Sequence, residues 1–153
     1  MATLTVTLQE SVVLNGCDYG SINSASVADV GDVYKRNVTC IHSNATSLAK
    51  FASSPSISGD DYTPYLDTEN ISYIRITNLD STNAVWIAVV GTTSLYQVVL
   101  AAGHSHILSD CDDFMLAEAD TSPSFGTMLD LTGIQAKPTT SNNVDVEIFI
   151  AIK

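Results

Sequence analysis

The residues of this chain that could do chemistry fall in a few short stretches. Gly103-His104-Ser105-His106-Ile107 has the outline of a G-x-S-x-G nucleophile elbow. However, Ile107 stands where that sharp turn needs its second glycine, and no helical pattern follows. His104 and His106 alternate, so on a strand they would share a face and could hold a metal jointly. A third ligand would have to come from elsewhere, with Asp110 and Asp112 as candidates. Asp110, Asp112, Asp113, Glu118 and Asp120 form the densest acidic stretch, but Phe114 replaces the next calcium ligand and no turn glycine follows. Cys40-Ile41-His42 sets a thiol near an imidazole, with no third group to orient the base. The expectation is therefore a protein with no catalytic residues, no metal and no cofactor: not an enzyme.

Composition narrows the classes further. The 153 residues fit a single domain spanning 1–153, long enough to bury its own core. Seventeen Asp and Glu against six Lys and Arg give a formal net charge of −11. Such a surface repels phosphate backbones and anionic lipid, and the nearest thing to a basic patch is Lys35-Arg36. The expected partners therefore include no nucleic acid and no membrane. Cys17, Cys40 and Cys111 are too widely spaced for a disulfide framework and are expected as buried free thiols. Met1-Ala2-Thr3-Leu4-Thr5-Val6 lacks the basic, then apolar, start of an export signal. Synthesis in a reducing cytoplasm is expected, with the sequons at Asn37, Asn44 and Asn70 chance products of composition.

The elements that must position these residues are strands. Thr, Val and Ile supply 42 of the 153 residues, and stiff β-branched side chains suit a pleated surface. Leu4, Val6 and Leu8 alternate with threonines, and the run 11–14 ends at Asn15-Gly16, a tight-turn signal. Strands are expected at 33–41, 71–77, 84–90, 95–100, 104–108 and 144–152. In the last, Val144, Val146, Ile148, Ile150 and Ile152 form one face, while Phe149 and Ala151 predict partial cover on the other. Trp86 is expected in the core, and one helical turn is allowed at 47–51 or 114–119. Short strands joined by Gly, Asn and Asp turns predict an all-β fold, an antiparallel β-sandwich that is jelly-roll-like. Segment 52–69 reads as a long surface loop whose Tyr62 and Tyr65 are suited to anchor a neighbour, as is the loop at 122–127. Residues 1–10 form either a first strand or an arm that adds to a neighbouring sheet through Leu4 and Val6.

Three phrases carry a resemblance. They are Leu8-Gln9-Glu10-Ser11-Val12-Val13-Leu14-Asn15-Gly16; the hairpin Tyr73-Ile74-Arg75-Ile76-Thr77-Asn78-Leu79-Asp80-Ser81-Thr82-Asn83-Ala84-Val85; and Leu100-Ala101-Ala102-Gly103-His104-Ser105-His106-Ile107-Leu108. Followed by the alternating last strand, this succession resembles small β-sandwich virion structural proteins of tailed bacteriophages, the capsid decoration (cement) proteins and tail or fibre components. The resemblance implies a virion protein made in the host cytoplasm, with no catalytic residues to carry over. Its partners would be the major capsid protein or other virion proteins, and it would be a homo-oligomer, a trimer being favoured. A decoration protein clamping neighbouring capsid subunits is the first expectation. The alternative is a tail or fibre component with a receptor- or carbohydrate-binding role.

Overall fold

The computed structural model describes residues 1–53, 65–93, 95–109 and 130–153. Tyr62, the acidic stretch from Asp110 to Asp120, Cys111 and the segments 114–119 and 122–127 lie outside the described residues, as does the side chain of Tyr65. Four strands open the chain: β1 (Ala2–Glu10), β2 (Val13–Leu14), β3 (Cys17–Asp18) and β4 (Ser21–Val30). The body follows with β5 (Asp32–Cys40), β6 (Thr46–Ala52), β7 (Tyr65–Asp67), β8 (Ile71–Asn78), β9 (Val85–Gly91), β10 (Leu95–Leu100), β11 (Ser105–Ser109), β12 (Leu131–Pro138) and β13 (Val144–Ile152). No helix among the described residues is long and apolar enough to cross a membrane.

Pairing within the body obeys one rule. Leaving out the three-residue β7, the first strand pairs with the last, β5 with β13, and the next pairs are β6 with β12, β8 with β11 and β9 with β10, all antiparallel. This is one long double-stranded hairpin. It is wound over so that β13 also pairs with β8, and β12 with β9. Two sheets result, ordered β11-β8-β13-β5 and β10-β9-β12-β6-β7. That is the jelly roll, and the expected all-β sandwich is the fold.

Alternation fills the space between the sheets. Ile74 and Ile76 of β8, Val146, Ile148 and Ile150 of β13, and Val85, Ile87 and Val89 of β9 are wholly buried. Each such side chain contributes roughly 1.5–3 kcal/mol relative to remaining exposed.

Two expectations are corrected. Residues 47–51 form strand β6 rather than a helical turn. A bulge opposite Ile134 and Gln135 turns the consecutive Leu48 and Ala49 both inward, so the apolar spacing departs from two, and pairing with β12 overrides local propensity. Trp86 is not core. It lies opposite Val85 and Ile87 on the pleat, and is 41% exposed on the outer face of β9.

At one end of the sandwich a polar corner holds the loops. Asn78 is fully buried and its side chain is fully used. It donates to the carbonyls of Asn83 (2.9 Å) and Leu100 (3.1 Å) and accepts from the Asp80 N–H (3.0 Å). Its backbone meets Gly103 and His104, where Gly103 takes φ 73°. The turn after β8 is thereby fastened to the crossing from β10 to β11.

Within that turn the Asp80 carboxylate accepts the backbone N–H groups of Thr82 and Asn83, both at 2.7 Å. These bonds lower its pKa from 3.8 to about 2. A carboxyl depressed by folding stabilises fully above its unfolded value, and that contribution fades as pH falls from 3.8 through 2. Asp80→Asn should therefore lower the urea midpoint at neutral pH, and the gap to wild type should close on acidification across that window.

Candidate partner interface

The first thirty residues leave the body as a ribbon. β1 and β4 pair in register from Glu10–Ser21 to Leu4–Val27. Between Leu4 and Ala2 the β4 side carries an extra residue, and Asp29 there takes φ 62°. This bulge bends the ribbon at its root. Asp is among the few residues that accept the left-handed region without large strain.

The root is anchored. Val30 packs with Tyr73 and Ala151 on the outer face of β8 and β13, and Leu4, Val6, Val27 and Phe149 close around them. Tyr73 and Phe149 meet edge-to-face at 6.2 Å, and Arg75 lies over the Phe149 ring at 5.9 Å. Arg75 and Lys35, from either side of β13, both pair with Glu147. The cover predicted from Phe149 and Ala151 is therefore present, and the ribbon supplies it. Leu4 and Val6, expected at a partner interface, pack on the chain's own sheet, because their face of the pleat is the one turned toward Tyr73.

Beyond Val6 and Val27 the ribbon's apolar side chains leave that cluster. Asn15 (φ 53°) and Gly16 (φ 80°) form a two-residue turn with both residues left-handed, closing Leu14 against Cys17. A bond of 2.9 Å from the Tyr19 N–H to the Val12 carbonyl stitches the narrow neck. Val13, Leu14 and Tyr19 at the tip are 69%, 60% and 66% exposed, and Leu8, Val12 and Ile22 are also uncovered. Apolar side chains clustered on a projecting element mark an interaction surface. An isolated two-stranded ribbon is marginal in water, so this tip gains stability when something covers it. The turn at Asn15-Gly16 is legible in the sequence, but the exposure of the apolar run 11–14 is not. What would have exposed it is the brevity of the strands around Asn15-Gly16, too short to reach the body.

Among the described residues, those with catalytic potential are not brought together. His104 is exposed, with Nδ1 against the Ala102 carbonyl at 2.9 Å. His106 turns inward, and its Nε2 meets the Tyr96 hydroxyl at 2.9 Å across the edge of the sandwich. Burial lowers the His106 pKa, which keeps this imidazole neutral at physiological pH. The two histidines therefore have separate partners, and no group of three or more His, Cys, Asp and Glu among the described residues is placed to hold a metal ion. Cys40 is buried and its thiol is pushed up to about 11, chiefly by desolvation, while His42 is exposed in the loop beyond. No thiolate forms there at neutral pH. Cys17 is a correction to the expected buried thiols: it is exposed, because the tip that carries it has no core of its own.

On the opposite sheet, Trp86 borders a shallow depression with Gln97, Gln135 and Lys137, with the small Ala88 between the two glutamines.

Two outcomes check this description. A Cβ on Gly20 would lie 2.5 Å from the Glu10 carbonyl oxygen, so Gly20→Ala should force the neck apart. Amide exchange at the tip should rise, with global stability within about 0.5 kcal/mol of wild type. Brief alkylation of the native protein at about pH 8 should label Cys17 and spare Cys40, as read by peptide mass spectrometry.

Compared with protein-family models, curated proteins and solved structures, the chain matches none of them.

Proposed function

We propose that the protein is a virion structural protein, an outer capsid decoration protein that uses its ribbon to clamp neighbouring major capsid subunits. The observation that carries this reading is the projecting ribbon with an uncovered apolar tip, anchored at its root to a rigid jelly roll. A structural clamp needs a stable body and an element that becomes ordered against its partner. The ribbon is such an element, since the large apolar side chains of its far half are exposed. The jelly roll recurs in viral capsid proteins, and the phage resemblance of the sequence points the same way.

A second reading, a tail or fibre component that binds carbohydrate, is favoured by Trp86. An exposed indole beside two amides and an ammonium offers a stacking face with hydrogen-bonding groups around it. Because Trp86 is the only tryptophan, its emission reports on that surface alone.

Counting copies of this chain against the major capsid protein in purified virions, by quantitative mass spectrometry, separates the readings. Comparable copy numbers support decoration. A few to a few dozen copies per particle move the protein to the tail or fibre, and absence from the particle ends the virion reading. On the decoration reading, Leu14→Asp should leave the fold intact and lower occupancy on particles at least tenfold.

A further inference from the structure

Two exposed apolar surfaces lie on opposite faces of the molecule, and they differ in charge. The first is the ribbon tip. Residues 1–30 contain Glu10, Asp18 and Asp29 and neither Lys nor Arg. The second is the outer face of β9 and β10, where Trp86 pairs across the strands with Val99 and Val90 with Leu95. Leu95 and Val99 are 55% and 62% exposed. The strands of that sheet from β10 to β6 carry no acidic residue, and Lys137 lies directly opposite Trp86. In a chain of net charge −11 these strands present an apolar face with a lysine beside its indole.

We propose that the ribbon tip of one copy docks on the outer face of β9 and β10 of a second copy. Apolar residues of the tip cover Trp86, Leu95 and Val99, and the acidic ribbon meets Lys137. The chain's own tip is not the occupant, because the root of each ribbon is held on the outer face of the opposite sheet by Tyr73, Ala151 and Phe149. Two stacked sheets about 10 Å apart therefore separate a ribbon from its own β9 and β10. Tip against tip would set Glu10 and Asp18 against their own copies, whereas tip against this face pairs unlike charges. The contact is heterologous, so it closes into a ring or extends as a filament. A ribbon tip covers less than a standard interface, which places the affinity at about 10–100 µM. A capsid subunit and a second copy compete for the same tip, so this contact belongs to the free protein. A monomeric wild type in sedimentation overturns it without touching the particle reading, and absence from virions ends that reading without touching this contact.

The test uses two full-length variants at exposed positions, Leu14→Asp on the tip and Val99→Glu on the face. Sedimentation at about 0.15 M salt, where the Debye length is near 8 Å, limits the long-range repulsion between copies. Wild type should associate as its concentration rises through the range above, with the Trp86 emission shifting to shorter wavelength as the indole is covered. Each variant alone should stay monomeric, with an unchanged circular dichroism spectrum. Mixed in equal amounts, the variants should form a one-to-one heterodimer and nothing larger, because one retains an intact face and the other an intact tip. The proposal is overturned if wild type stays monomeric throughout, or if the mixture does not pair. It is equally overturned if association leaves Trp86 emission unchanged. A monomeric wild type whose Trp86 emission responds to a saccharide such as oligogalacturonate would assign the face to sugar binding instead.

Discussion

The two-residue period of β13 is the constraint on which the rest of the molecule depends. Val144, Val146, Ile148 and Ile150 face one way and are wholly or almost wholly buried between the sheets. Glu147, Phe149 and Ala151 face the other way and receive the ribbon root together with Arg75 and Lys35. β13 lies between β5 and β8, so its two faces and two edges are all engaged. A slip of one residue would exchange the faces, setting Glu147 in the core and stripping the ribbon of its platform. Core and attachment are thus fixed by one register.

Order in the molecule is graded from that strand outward. The corner around Asn78 is tied by hydrogen bonds that leave none of its side-chain polar atoms unused, which fixes the loops at that end of the sandwich. The ribbon departs near the opposite end, where Asp32 pairs with Ile152, and its apolar contacts with the body extend to Val6 and Val27. Its far half has backbone pairing and a tight turn but no second layer. That difference in packing separates a rigid body from an element whose apolar side chains are left for a partner. Among the described residues, His104 and His106 are each committed to local partners, and Cys40 is too deep to ionise.

Much of the body was legible in the residues. Alternation from Val144 to Ile152, the Asn15-Gly16 turn and the polar turn after Asn78 correspond to observed elements, because each is written in local chemistry. Phe149 and Ala151 correctly announced a second covered face. What covers it, the root of the ribbon, was not legible, since that contact joins residues more than a hundred positions apart. Trp86 was misplaced for a similar reason. Its side of the pleat was right, but whether an outer face is covered depends on what else packs there.

By itself, then, the sequence determined strand chemistry, turn positions, acidity and the all-β class, since these follow from side-chain type and a period of two. Tertiary structure alone decided that the first thirty residues stand off as a ribbon, that Leu4 and Val6 serve its root and that Val13, Leu14 and Tyr19 remain bare. It also decided that β6 is a bulged strand. The physical reason is that burial is a property of what lies opposite. A pleat specifies which residues point together, and only the packed chain specifies whether anything meets them.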